Sequence, residues 1–214
     1  MDAYEQHRAD MRTGDILLFS GNGLISKGIQ ALTASPWSHV AIVLEVPLYD
    51  FVCCFESTTL SDIPDLTTGA PVKGVQLVPL SQRIETYDGE KIAWRRVDTR
   101  RTPEATAAAL AVRREFAGRP YEENQLELLR SALDTFTLKQ NQPDASSVFC
   151  SELAAILWQR MGWMKEFPPN EFTPADFAGD GLPVNEGVTV GPVTMLKDSI
   201  GNTEVTELEA VNED

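Results

Sequence analysis

Residues 38–46, Ser-His-Val-Ala-Ile-Val-Leu-Glu-Val, constrain the fold more than any other stretch of the chain. In an extended backbone Val40, Ile42, Leu44 and Val46 share one face, and His39, Ala41, Val43 and Glu45 share the other. Both faces are rich in apolar side chains, so the segment reads as a buried strand with His39 at its start. Pro47-Leu48-Tyr49-Asp50 then turns the chain into Phe51–Glu56, and so short a connection predicts an antiparallel neighbour. In that second strand Val52, Cys54 and Glu56 face together, with Glu56 at the end. Residues 15–20, 75–78 and 91–97 complete the β region, and 188–196 read as one more strand. A brief helix is expected over 24–32, closed by Ser35-Pro36. Another starts at Thr102 as N-cap with Pro103 at N1 and stops at Gly118. A further helix carries Leu126, Leu129 and Leu133. The fold class this predicts is α+β, an antiparallel sheet or small barrel packed against helices.

The second informative stretch is Ser146–Trp158. Apolar residues recur at 149, 153, 156, 157 and 161, one face of a helix, and Gly162 stands where it should stop. Ser146 and Ser147 are candidate caps, which places Cys150 in the first turn. There a thiol would feel unpaired N–H groups and the positive helix end, both of which favour the thiolate nucleophile. The bland alternative is a small buried hydrophobe, the usual fate of a free cysteine.

Composition narrows the remaining classes. The 214 residues, 43% hydrophobic, suit one domain over 13–198, with a polar arm at 1–12 and an acidic tail at 199–214. No apolar run is long enough to span a bilayer, and Met1–Arg8 has no leader pattern. Three cysteines, two of them adjacent, make no disulfide framework, and a cytoplasmic location is the expectation. Metal-ligand spacing is absent, so neither a metal nor another cofactor is expected. A net charge of −14 argues against nucleic acid and anionic membranes as partners. Residues 57–73, rich in Ser, Thr, Asp, Pro and Gly, form a loop of the size that often serves as a lid or binding loop.

Thiol catalysis needs a nucleophile, a base and a group that orients the imidazole. The chain offers Cys150, His39 and Glu56. The other histidine, His7, lies in the polar arm. Histidine, carboxylate and cysteine are far apart in sequence, and their meeting is an expectation to be tested in space.

Several segments in order carry a resemblance. They are Gly14–Phe19, Ala31–Val43 with Ser35-Pro36-Trp37-Ser38-His39 at its centre, Phe55-Glu56, Gly118–Glu122 and Phe149–Leu153. Together they resemble the circularly permuted papain-like branch of the NlpC-type thiol hydrolase superfamily, above all its YiiX/YaeF/YebB-like members. Lecithin–retinol acyltransferase-like proteins share the permuted order. The resemblance covers residues 13–178 and implies a permuted papain-like fold with Cys150 as nucleophile, His39 as base and Glu56 as the third member. It also implies substrate contacts around Tyr121, Trp37 and Ser38. Where a Tyr-Asp pair often precedes the nucleophile, this chain has Tyr121-Glu122. The activity implied is cysteine-dependent acyl transfer on a small peptide or acyl substrate, an amidase or peptidase acting in cell-wall-type peptides. The alternatives are a lipid acyltransferase or phospholipase, and a non-catalytic binding module that keeps the fold.

Overall fold

The computed structural model describes residues 3–46, 49, 51–119 and 145–198, the side chains of 145–149 excepted. In chain order the strands are β1 (Ile16–Ser20), β2 (His39–Val46), β3 (Phe51–Thr58), β4 (Gly74–Pro79), β5 (Lys91–Arg95), β6 (Val97–Asp98), β7 (Thr189–Val190) and β8 (Thr194–Asp198). The helices are α1 (Ala3–His7), α2 (Leu24–Thr33), α3 (Leu80–Thr86), α4 (Pro103–Phe116), α5 (Ala145–Arg160) and α6 (Pro174–Ala178). A six-stranded sheet runs β4-β3-β2-β1-β5-β8, and every neighbouring pair is antiparallel. Strands β6 and β7 form a separate ribbon, so the expected strand 91–97 is broken at Arg96 and the expected strand 188–196 is two pieces. The α+β architecture follows directly from the alternating patterns.

Each face of the sheet has its own core. Ile16, Leu18, Val40, Ile42 and Phe55 pack against α4, α5 and α6 through Val112, Leu157, Trp158 and Phe177. Leu17, Phe19, Ala41, Val43 and Cys54 turn the other way, against Leu80 and Ile84 of α3, Tyr87, Met11 and Tyr4. The polar arm is therefore docked: Tyr4 and Met11 are buried, and His7 lies against the ring of Trp94. Gly14 carries a positive φ of 95°, and a β-carbon there would strike the Trp163 ring, so this turn needs glycine on two counts.

Helix α4 begins as its sequence demands, the Thr102 hydroxyl accepting from the Ala105 N–H with Pro103 following. The segment after β3 is pinned rather than loose. Buried Asp65 accepts from the N–H groups of Thr67, Thr68 and Leu77 at 2.7–3.0 Å. The expected helix around Leu126–Leu133, Tyr121 and the tail 199–214 lie outside the described residues. No described helix is long and apolar enough to cross a membrane.

Candidate active site

His39 opens β2 and sits opposite Phe19 of β1, at the end of the sheet, with 17% of its side chain exposed. Its Nε2 lies 2.8 Å from Oε2 of Glu56. Glu56 stands near the end of β3, paired across β4 with Gln76, and is wholly buried. Cys150 comes from the other side of the sheet: α5 packs on β2 and β3, and its thiol hydrogen-bonds His39. With Nε2 bonded to Glu56, the other ring nitrogen is left for the thiol. Three residues from distant parts of the sequence thus meet where a strand start, a strand end and a helix converge.

The electrostatics follow from that meeting. Burial by itself would lower the basicity of His39. The charge of Cys150, the hydrogen bonds to Cys150 and Glu56 and the charge of Glu56 outweigh it, raising the imidazole from 6.5 to about 9. Burial likewise pushes the Glu56 carboxyl up, but the Arg83 guanidinium and the His39 ring hold it below the usual range. At the two other thiols burial outweighs the nearby arginine, Arg113 for Cys53 and Arg83 for Cys54. Burial takes Cys53 up to about 11 and Cys54, next to the Glu56 charge, well above the ordinary thiol value.

Two departures from expectation concern Cys150. It is the sixth residue of α5, which starts at Ala145, so it lies beyond the first turn. The unpaired N–H groups belong to the first four residues, and the dipole effect fades within that turn. Ser146 and Ser147 are helix residues, not caps. His39, rather than the helix end, is the group that can stabilise a thiolate here. Cys150 is also only 3% exposed.

A cleft of about 580 Å³ opens beside His39, between the loop leading into α2 and the end of β3. Gly21, Leu24, Ile25, Ser57, Leu60 and Tyr87 are among its walls. Ser38 also borders it, and its hydroxyl fixes the wall by accepting from the Gly21 N–H at 3.0 Å. Trp37 is elsewhere: it packs in the core on the α5 side, because its ring follows the opposite alternation. Among the described residues no cluster of His, Cys, Asp or Glu could hold a metal ion.

Sequence reasoning missed α3 and Arg83. The guanidinium places Nε and NH2 each 2.8 Å from Oε1 of Glu56, and NH1 2.9 Å from Asp62. Gln76 Nε2 adds a donor to the same oxygen at 3.1 Å. A signal was present: in Leu80-Ser-Gln-Arg-Ile-Glu-Thr, Arg83 falls on the helical face of Leu80 and Ile84, and an arginine on an apolar face requires a buried acid.

No protein-family model matches the chain, and no curated protein matches it. Among solved structures it is similar to the metalloprotein YiiX of Escherichia coli O157:H7, described as DUF1105. The identity is 19% and the TM-score 0.47, over 88% of this chain and 98% of that one.

Proposed function

We propose that the chain is a cysteine-dependent hydrolase of permuted papain-like fold that cleaves an amide bond by acyl transfer, with Cys150 as nucleophile, His39 as acid and base, and Glu56 as the orienting carboxylate. One observation carries this: a half-buried histidine at the mouth of a cleft, bonded on one side to a thiol and on the other to a buried carboxylate. The contacts with Cys150 and Glu56 raise the basicity of His39, so the ring can take the thiol proton and hold it as the sulfur becomes the nucleophile. The sulfur attacks the carbonyl carbon, and the tetrahedral oxyanion collapses as the imidazolium gives its proton to the departing amine. The neutral ring next takes a proton from water, which attacks the thioester. Release of the acid returns the sulfur and the ring to their starting state. Glu56 holds the ring in one tautomer and stabilises its protonated form.

The rim of the cleft favours an acyl-lipid substrate as the alternative: Leu24 is 85% exposed there, with Ile25, Ile29 and Leu60 behind it. The low exposure of Cys150 favours a non-catalytic module. One experiment separates all three. Incubation with a mixed peptide and lipid extract, followed by intact-mass and peptide analysis, should reveal an acyl adduct on Cys150 that is missing from Cys150→Ala. A peptidyl adduct supports the amidase and a fatty-acyl adduct the lipid enzyme. No adduct from any fraction, with the thiol unreactive, would refute the catalytic assignment.

A further inference from the structure

We propose that Arg83 is a positioning residue of this site, acting through Glu56: its guanidinium fork fixes the carboxylate so that one oxygen is always turned to His39. The role rests on Cys150 and His39 being the reacting pair. Both side chains of the Arg83–Glu56 pair are wholly buried, and both Nε and NH2 reach the same oxygen, Oε1. Gln76 donates to that oxygen too. Arg83 Nε and Gln76 Nε2 donate to Oε1, with the rest of the guanidinium charge close by, so Oε2 is left for the imidazole at 2.8 Å. A carboxylate held by one hydrogen bond could rotate or take up a proton in this dry layer. One held by an arginine and a glutamine amide on the same oxygen can do neither cheaply.

Glu56, Arg83 and Asp62 alternate in charge, and His39 and Cys150 extend the line of contacts from Glu56. Asp62 closes it from the segment after β3, with its side chain 39% exposed. The groups facing Glu56 are His39 from β2, Cys54 on its own strand, Gln76 from β4, Arg83 from α3, and the ring of Tyr87 just after α3. Arg83 is the one fixed positive charge in that set. Without it, burial dominates and Glu56 takes up a proton at higher pH, after which it no longer stabilises the imidazolium. Among the described residues the Arg83 guanidinium meets two acids, Glu56 and Asp62.

The test is the rate of iodoacetamide alkylation at Cys150 in the full chain, followed by peptide mapping between about pH 5 and 9, where histidine titrates. Arg83→Met should slow alkylation roughly 10- to 100-fold, the cost usual for a supporting partner of a reacting group, and should move the rise in rate to higher pH. Arg83→Lys keeps the charge but not the fork. It should leave the rise where it is in the wild type and recover part of the rate. In a Glu56→Gln background, Arg83→Lys should cause no further loss, because its effect passes through Glu56. Loss that adds to that of Glu56→Gln, or an unmoved profile in Arg83→Met, would mean that Arg83 only holds the fold and would overturn the role. Should Arg83→Met not fold, the Arg83→Lys and Glu56→Gln combination decides alone. Unchanged alkylation in His39→Ala and Glu56→Gln would instead overturn the reacting pair itself.

Discussion

Among the described residues, Asp15 and Glu56 are both wholly buried beside an arginine, and only Glu56 belongs to a candidate site. Asp15 accepts from the N–H groups of Arg12 and Val97, the Trp94 indole and the Arg101 guanidinium, at 2.6–3.0 Å. Both of its oxygens are taken by donors that do not titrate near neutrality. It ties β1 to Trp94 of β5 and to Val97 of β6, and burial raises its carboxyl above the usual value despite those bonds. Glu56 has one oxygen bonded to Arg83 and Gln76 and the other on a titratable ring, and its carboxyl is lowered. Burial and an arginine are common to both. What separates structure from chemistry is whether an oxygen is left for a group that can move a proton and that borders a cleft.

The largest effect should fall on the Glu56 side of this contrast. Against whichever substrate the trapping experiment identifies, Cys150→Ala and His39→Ala should each lower turnover by something on the order of 10⁴-fold or more. Their double variant should be little worse, since the members act as a unit. Steady-state kinetics of the three proteins check this, and full activity in Cys150→Ala would end the thiol mechanism.

Stability should then divide the two acids. Glu56→Gln strands the buried Arg83 charge, at a cost of about 3–5 kcal/mol. Asp15→Asn sets an amide against fixed donors and costs about 1–3 kcal/mol. Urea unfolding measures both. Only Glu56→Gln should also slow alkylation of Cys150, and equal labelling in both variants would dissolve the contrast.

A smaller effect uses the chain's other thiols as controls. Near pH 6.5 iodoacetamide should label Cys150 ahead of Cys53 and Cys54 by about tenfold, because burial keeps those two protonated and shielded. His39→Ala should remove most of the difference. Uniform labelling of the folded protein would make Cys150 an ordinary thiol.

The smallest effect is the pH dependence of stability. Folding raises the affinity of His39 for its proton, so its contribution is full below about 6.5. It fades as pH rises and is gone beyond about 9. Unfolding free energies across that window should slope downward in the wild type and less so in His39→Gln. A slope unaltered by the substitution would place the titration elsewhere.

Period-two alternation at residues 38–46 and 51–56 determined the central hairpin, which core each side chain enters, and the end of the sheet at which His39 and Glu56 lie. Local chemistry likewise set the start of α4, where Thr102 and Pro103 act within a single turn. These features are legible because they depend on neighbours a few residues apart. The start of α5 was not legible: serine is compatible with a cap and with a helix interior, and the choice moved Cys150 out of the first turn. Trp37 and Ser38 are adjacent in sequence, yet one entered the core and the other the cleft wall. The docking of Tyr4 and the partner of Arg83 were equally out of reach. A buried charge can be recognised along the chain as needing an opposite one, but which one it finds is decided by which elements pack across the same face. Glu56 and Arg83 are 27 residues apart and meet only because α3 folds back over β3.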